Sequence, residues 1–237
     1  MLEYPVTART LTVAHFSGQW SSTMQVTLDA TSAPLQIDIR PARLADIYPI
    51  LSLHREAFAD KFGAAFGARG MSRGVEAMAE AWRRQGSSAL RGMLVAYADE
   101  QVIGTITLRT WEMGGDDSGA AELAFQQVLG IWGAFRSIFT LSLLDHQIGR
   151  DEGYITDVAV LSDYRRRGVA RALLASAEDD ARARRKRYLG LYVSASNRGA
   201  QTLYSSAGFE KRQTRRSVLA GLLLHQLGWV YMRKDLA

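Results

Sequence analysis

The chain has 237 residues, of which 47% are hydrophobic and 22% charged, a balance that suits one domain with additions and excludes wholesale disorder. It has no cysteine, so disulfides, thiol nucleophiles and zinc–thiolate sites are excluded, and its four histidines (His15, His54, His146, His225) show no metal-ligand spacing. The net charge of +5 is uneven: residues 165–216 hold 14 Lys+Arg against 4 Asp+Glu, a local +10 that leaves the rest near −5 and favours a discrete anionic ligand over a general polyanion coat.

The N-terminus "MLEYPVTART" lacks the basic start and long apolar run of a signal peptide, so a cytoplasmic location is expected. Residues 1–34 are rich in Ser and Thr and read as an N-terminal extension with one or two edge strands. The main domain is expected over 35–237. In "LQIDIRP", Leu35, Ile37 and Ile39 alternate with polar residues, the period of a half-buried strand. A helix follows with Ile47, Ile50, Leu51, His54 and Phe58 on one face. The glycine-rich "FGAAFGARGMSRG" reads as a mobile connection to a second helix over about 72–85, with Val75, Met78 and Trp82 in line.

"MLVAYADEQVIGTITLR" reads as a hairpin turning at Asp99-Glu100-Gln101. A strand "GYITDVAVL", a long helix from Gly168 to about Arg185, a strand "RYLGLYVSA", a helix over about 197–206 and strands near "FEKRQ" and "WVYMRKDL" complete the order. The fold class is α/β: a mixed sheet flanked by helices. Two segments break the rhythm. One is the insertion 111–150, whose "VLGIWGAFRSIFTLSLL" (128–144) carries Arg136 as its one charge; the other is "VLAGLLLHQLGWV" (218–230). Membrane spanning is not expected, because the first segment lies between strands of one sheet. Both read as buried helices or a dimer contact, with walls of an apolar substrate pocket as the sharper reading.

The chemistry concentrates at Arg165-Arg166-Arg167-Gly168-Val169-Ala170, after an apolar strand and at the start of a helix. A helix N-terminus offers unpaired N–H groups and partial positive charge to a phosphate. Glycine lets the backbone approach the anion, small Ala170 keeps the turn open, and arginines can fork onto a diphosphate. Alone, the pattern is better explained as a solvated basic turn.

In context, "YITDVAVLSDYRRRGVARALL" followed by "LGLYVSASNRGAQTLYSSAGF" resembles the GNAT superfamily of acyl-CoA-dependent N-acyltransferases. The resemblance rests on Val158-Ala159-Val160, then Arg165, Gly168 and Ala170, then Asn197, Ala200, Leu203, Tyr204, Gly208 and Phe209. It covers about 154–210, with the N-terminal half agreeing in element order. Ser162 stands where the family often has proline, and Ala170 where it often has a second glycine. The implied fold is a mostly antiparallel central sheet flanked by helices, with a helical insertion before the CoA-binding strand.

The resemblance implies acetyl-CoA or another acyl-CoA as co-substrate, with no metal. Its diphosphate would lie on Arg165, Arg166, Arg167, Gly168, Val169, Ala170 and Arg171, and its pantetheine arm along Val158, Ala159 and Val160 with Asn197 beside it. A backbone N–H there, that of Val160, would polarise the thioester carbonyl. Tyr204 would protonate the leaving thiolate. A base must remove a proton from the acceptor amine, and Asp157 and Glu152 are the candidates. Each has a bland counterpart: Asn197 as an N-cap, Tyr204 as a core tyrosine, Asp157 as a solvated strand residue. The acceptor would be a small-molecule or peptide amine, and a homodimer is expected from the two apolar segments. The alternatives are a non-catalytic acyl-CoA sensor, a nucleic-acid module using Arg182, Arg184, Arg185, Lys186 and Arg187, and peripheral membrane binding. Nucleic acid is the less expected partner, because cations at a helix end need no ligand to explain them.

Overall fold

The computed structural model describes residues 22–26, 35–59, 71–114, 146–216 and 228–236. Eight strands form one sheet in the order β1-β2-β3-β4-β5-β6-β8-β7. They are β1 (Ser22–Val26), β2 (Leu35–Pro41), β3 (Met93–Ala98), β4 (Gln101–Thr110), β5 (Glu152–Val160), β6 (Tyr188–Ser194), β7 (Glu210–Arg216) and β8 (Gly228–Asp235). β5 and β6 pair in parallel, and every other pair is antiparallel. The N-terminal extension thus contributes an edge strand, β1, beside β2.

Among the described residues four α-helices flank the sheet: α1 (Ile47–Ala57), α2 (Met71–Gln85), α3 (Val169–Ala183) and α4 (Arg198–Ser206). On one face α1 and α2 bury Ile47, Ile50, Leu51 and Val75 against Val95, Val102 and Ala159. On the other, α3 buries Val169, Leu173, Ala177 and Ala181 against Ile106, Leu108, Ile155 and Leu191. The alternation of the strands and the helical spacing of the apolar residues dictate these two layers. α3 is the crossover that a parallel β5–β6 pair requires.

The hairpin turns where the sequence places it. Asp99 and Glu100 have φ of 49° and 59°, the left-handed pair of a tight two-residue turn whose twist matches the strands. The apolar 128–144, most of 218–230, the "TLTVAHF" run and most of the glycine-rich connection lie outside the described residues, as does the basis for a homodimer. The strand expected near "WVYMRKDL" is β8; it takes in Gly228, Trp229 and Val230, so the end of 218–230 lies in the sheet and not in a helix, with Trp229 and Val230 buried. Among the described residues no helix is long and apolar enough to cross a membrane.

β5 is packed tightly from behind. A Cβ on Gly153 would lie 2.9 Å from Leu189, 3.0 Å from Leu108 and 3.3 Å from Ala181. Gly153→Ala should therefore destabilise the fold by about 1–3 kcal/mol through overpacking, read by chemical denaturation.

Candidate active site

β5 holds its two neighbours unequally. Its ladder with β6 runs from Glu152–Tyr188 to Ile155–Leu191 and stops. β6 continues along β8 to Ser194–Trp229, so the last five residues of β5 face a gap. On its other side β5 pairs with β4, but the register slips: Thr107 faces Thr156, whereas Thr105 faces Ala159. Asp157 and Val158 therefore stand against Ile106 alone, a β-bulge. Asp157 carries the strain, with φ of 54°, a left-handed conformation that costs a non-glycine residue about 1 kcal/mol.

The bulge reverses the alternation of β5. Ile155 lies in the α3 core before it; afterwards Val158 and Val160 pack against that core, while Ala159 joins the α1 face. Leu161 N–H donates to Ile103 O on β4 at 3.0 Å. By the two-residue period of a strand, the N–H and C=O groups of Val160 point the opposite way, into the gap.

The basic loop lies at the open end of the gap. Gly168 has φ of 83° and ψ of −5° and is the N-cap of α3. The first helical bond is Ala172 N–H to Gly168 O at 3.0 Å, so the preceding amides have no partner within the helix. The four arginines are not equivalent. Arg165 turns back, its Nε donating to Val160 O at 3.1 Å and its guanidinium 3.9 Å from Glu56, which also accepts from Ser162 N–H. Arg167 lies over the Tyr164 ring at 5.7 Å, and the Tyr164 hydroxyl donates to Asp99. Arg171 donates to Ser206 on α4. Arg166, exposed and at φ of 59°, makes no ion pair or hydrogen bond among the described residues.

Across the gap, Asn197 caps α4 by accepting from Ala200 N–H at 3.0 Å. Tyr204 follows on the same helix, packed on Phe209 with ring centroids 5.9 Å apart. Burial pushes its phenol up to about 12, so it stays protonated at neutral pH. Its hydroxyl makes no hydrogen bond among the described residues.

The two carboxylates have different settings. Asp157 is half-buried in the bulge, accepting from its neighbour Thr156 Oγ1 at 2.9 Å. Glu152 is buried at the closed end of the gap. It accepts from His146 Nε2 at 3.1 Å, Gly149 N–H at 3.1 Å and the Tyr231 hydroxyl at 2.7 Å. Burial pushes its pKa up, but the bonds from His146, Tyr231 and Gly149 outweigh burial and hold it below the usual carboxylate range. Burial and the neighbouring carboxylate push Tyr231 up in turn. The His146 ring packs against Tyr154, centroids 4.4 Å apart and tilted by 35°, and lies beside Tyr192, the first β6 residue past the point of parting. Sequence reasoning passed over His146, Tyr154, Tyr192 and Tyr231, which lie far apart in the chain. The alternation in "YLGLYV" offered the one clue, since Gly190 marks a missing side chain on that face. A Cβ there would collide with Glu152 Oε1 and the Tyr231 hydroxyl.

The run 182–187 is largely engaged elsewhere. Arg182 pairs with Glu178 and Arg184 with Asp180, each one helical turn back. Lys186 is buried against Glu112 and Arg150 O, and Arg187 lies 3.8 Å from Asp151.

The parting of the parallel β5–β6 pair thus leaves main-chain groups of a central strand unpaired beside the start of α3. A sequence model of the Acetyltransferase (GNAT) family matches residues 52–209, and the chain belongs to that family. Among individual relatives, it is 41% identical over 71 residues to the [ribosomal protein bS18]-alanine N-acetyltransferase of Escherichia coli strain K12, and 39% over 71 residues to that of Salmonella typhimurium. These matches cover 30% of this chain and 48% of each relative, so the chain spans about half the length of the curated relatives it matches. Among solved structures, an acetyltransferase is similar with a TM-score of 0.58 at 21% identity, over 84% of this chain and 99% of that one. The PaiA N-acetyltransferase of Thermoplasma acidophilum, in complex with coenzyme A, gives 0.54 at 15% identity over the same shares. At these identities the structural likeness establishes the fold.

Two outcomes follow from the closed end. Since Glu152 titrates below its ordinary 4.5, its stabilisation is fully present above that value and is lost as pH falls through the folded pKa. Glu152→Gln should cost about 1–3 kcal/mol at neutral pH and flatten the acid limb below about pH 4.5, read by urea unfolding across that range. Gly190→Ala should be at least as damaging, because the new methyl displaces a buried carboxylate from its donors.

Proposed function

We propose that this protein is an N-acetyltransferase that moves the acetyl group of acetyl-CoA to a primary amine by direct attack. One observation carries the reading: the gap between β5 and β6 opens beside an arginine-flanked helix start whose N-cap is a left-handed glycine. The Gly168 cradle and the amides of Val169, Ala170 and Arg171 suit a diphosphate, with Arg166 the side chain best placed to fork onto it. Arg165 instead braces the end of β5, and Arg167 stiffens the loop through Tyr164. The N–H of Val158 would polarise the thioester carbonyl and that of Val160 would hold the pantetheine arm, while Asn197 lines the opposite wall.

CoA supplies the activated thioester and a thiolate leaving group. Tyr204, a neutral phenol at working pH, donates its proton to the sulfur as the C–N bond forms and the C–S bond breaks. Asp157, at the bulge, takes the proton that the attacking amine gives up. We assign Glu152 a different part: with its oxygens occupied and its pKa lowered, it anchors His146 and Tyr231 beneath the acceptor face. The acceptor is a small-molecule or peptide amine. The alanine in the names of the bacterial relatives makes a peptide with an N-terminal alanine the first to test.

Excess acetyl-CoA, at about 100 times its dissociation constant, should stabilise the protein by about 2.7 kcal/mol. The shift should vanish in the Arg166→Ala, Gly168→Glu double variant; a wild-type protein that shows no shift with any acyl-CoA overturns the proposal. Tyr204→Phe should lower kcat by about a hundredfold or more with acetyl-CoA affinity unchanged, read by thiol release.

A further inference from the structure

His54 is buried on α1, on a face otherwise filled by Ile47, Ile50 and Leu51. Its Nε2 lies 2.9 Å from Thr105 Oγ1 on β4. The same hydroxyl lies 3.0 Å from the main-chain oxygen of Asp157. A carbonyl can only accept, and a threonine hydroxyl has one proton to give. Thr105 therefore donates to Asp157, and His54 Nε2 carries a hydrogen and donates to Thr105. Thr105 is wholly buried, so no water substitutes for either bond. The imidazole is held in turn by Phe58, 5.4 Å away, and by the edge of Trp82 at 6.4 Å.

The relay ends on the bulged residue itself. The peptide unit that joins Asp157 to Val158 is planar and trans, so its C=O and N–H point in opposite directions. Thr105 draws the Asp157 oxygen toward β4 and α1. The Val158 N–H, on the far side of the same plane, is then turned into the gap. The alternation counted back from the Leu161–Ile103 bond gives the same direction for Val158. A left-handed aspartate in mid-strand would relax without such a hold, and relaxation would rotate this plane.

We infer that His54 and Thr105 are positioning residues: through the Asp157 oxygen they fix the peptide plane whose N–H, that of Val158, meets the acyl carbonyl in the gap. The inference rests on the acetyltransferase reading above. Its test reads that carbonyl directly. Acetyl-CoA labelled with carbon-13 at the thioester carbonyl is bound to each protein and its stretching band recorded by difference infrared spectroscopy, beside the affinity for CoA and the Tm. The wild type should shift the band to lower frequency. Thr105→Val and His54→Leu should each lose most of that shift while CoA affinity is retained, because the phosphate loop is untouched. Thr105→Ser and His54→Gln, which keep a donor at each step, should restore it.

A full shift in Thr105→Val or His54→Leu overturns the inference and leaves the acetyltransferase reading standing. So does a loss that Thr105→Ser shares with Thr105→Val, which would mark a role in packing alone. Should Thr105→Val fail to fold, the His54→Leu and His54→Gln pair decides. No binding of acetyl-CoA to the wild type overturns both readings together.

Discussion

β5 cannot follow both of its neighbours, and the site grows from that conflict. β6 is committed to β8 along its whole length, from Tyr188–Asp235 to Ser194–Trp229. β5 is committed to β4, with an extra residue inserted at Asp157. Past Ile155 and Leu191 the two commitments diverge, and the main-chain groups of a central strand are left exposed to a gap. Elsewhere in a sheet such unpaired groups would be a liability. Here they lie at the carboxyl end of a parallel pair, beside the helix that crosses between its strands, where ligands of α/β sheets collect.

An opening of this kind needs a closed end that does not slide. Glu152, the first residue of β5, reaches across β6 above Gly190 to the Tyr231 hydroxyl, linking β5 to β8 through one carboxylate. His146 adds a third side and fills the aromatic space among Tyr154, Tyr192 and Tyr231. Lys186 holds Arg150 O just before β5, and Arg187 and Tyr188 N–H both turn to Asp151 O. A carboxylate with its hydrogen bonds filled in this way contributes geometry, and its lowered pKa follows from the same bonds.

This geometry explains what the sequence could disclose. The hairpin at Asp99-Glu100, the strand before the arginines, the helix opening at Gly168 and the cap at Asn197 are local features, each written in a few consecutive residues. The two carboxylates were legible as candidates but not as different in kind, because the partners of Glu152 lie 3, 6 and 79 residues away. His54 read as one more residue on a buried helical face, which it is; its polar task depends on Thr105, 51 residues on. The bulge was invisible because the alternation "YITDVAV" holds for either register, and a left-handed aspartate has no signature that a left-handed glycine would have. The arginines were read as equal, and tertiary neighbours made them unequal: Glu56 from α1 and Tyr164 from the loop claim two of the four.

The charge distribution closes the argument about that loop. The acids of α3, Glu178, Asp179 and Asp180, all fall in its later half, where Glu178 and Asp180 meet Arg182, Arg184 and, from β8, Lys234. The first turn of α3 has no acid. Helices are ordinarily steadied by carboxylates at that end, against the positive pole of the peptide dipoles. α3 instead gathers Arg165, Arg166, Arg167 and Arg171 around its start, and among the described residues Arg165 alone of these forms an ion pair, with Glu56. On its own such an end is electrostatically unfavourable. An anion seated on Gly168, as the proposed function requires, would supply the missing countercharge, and its binding would then stabilise α3 through the same backbone dipoles.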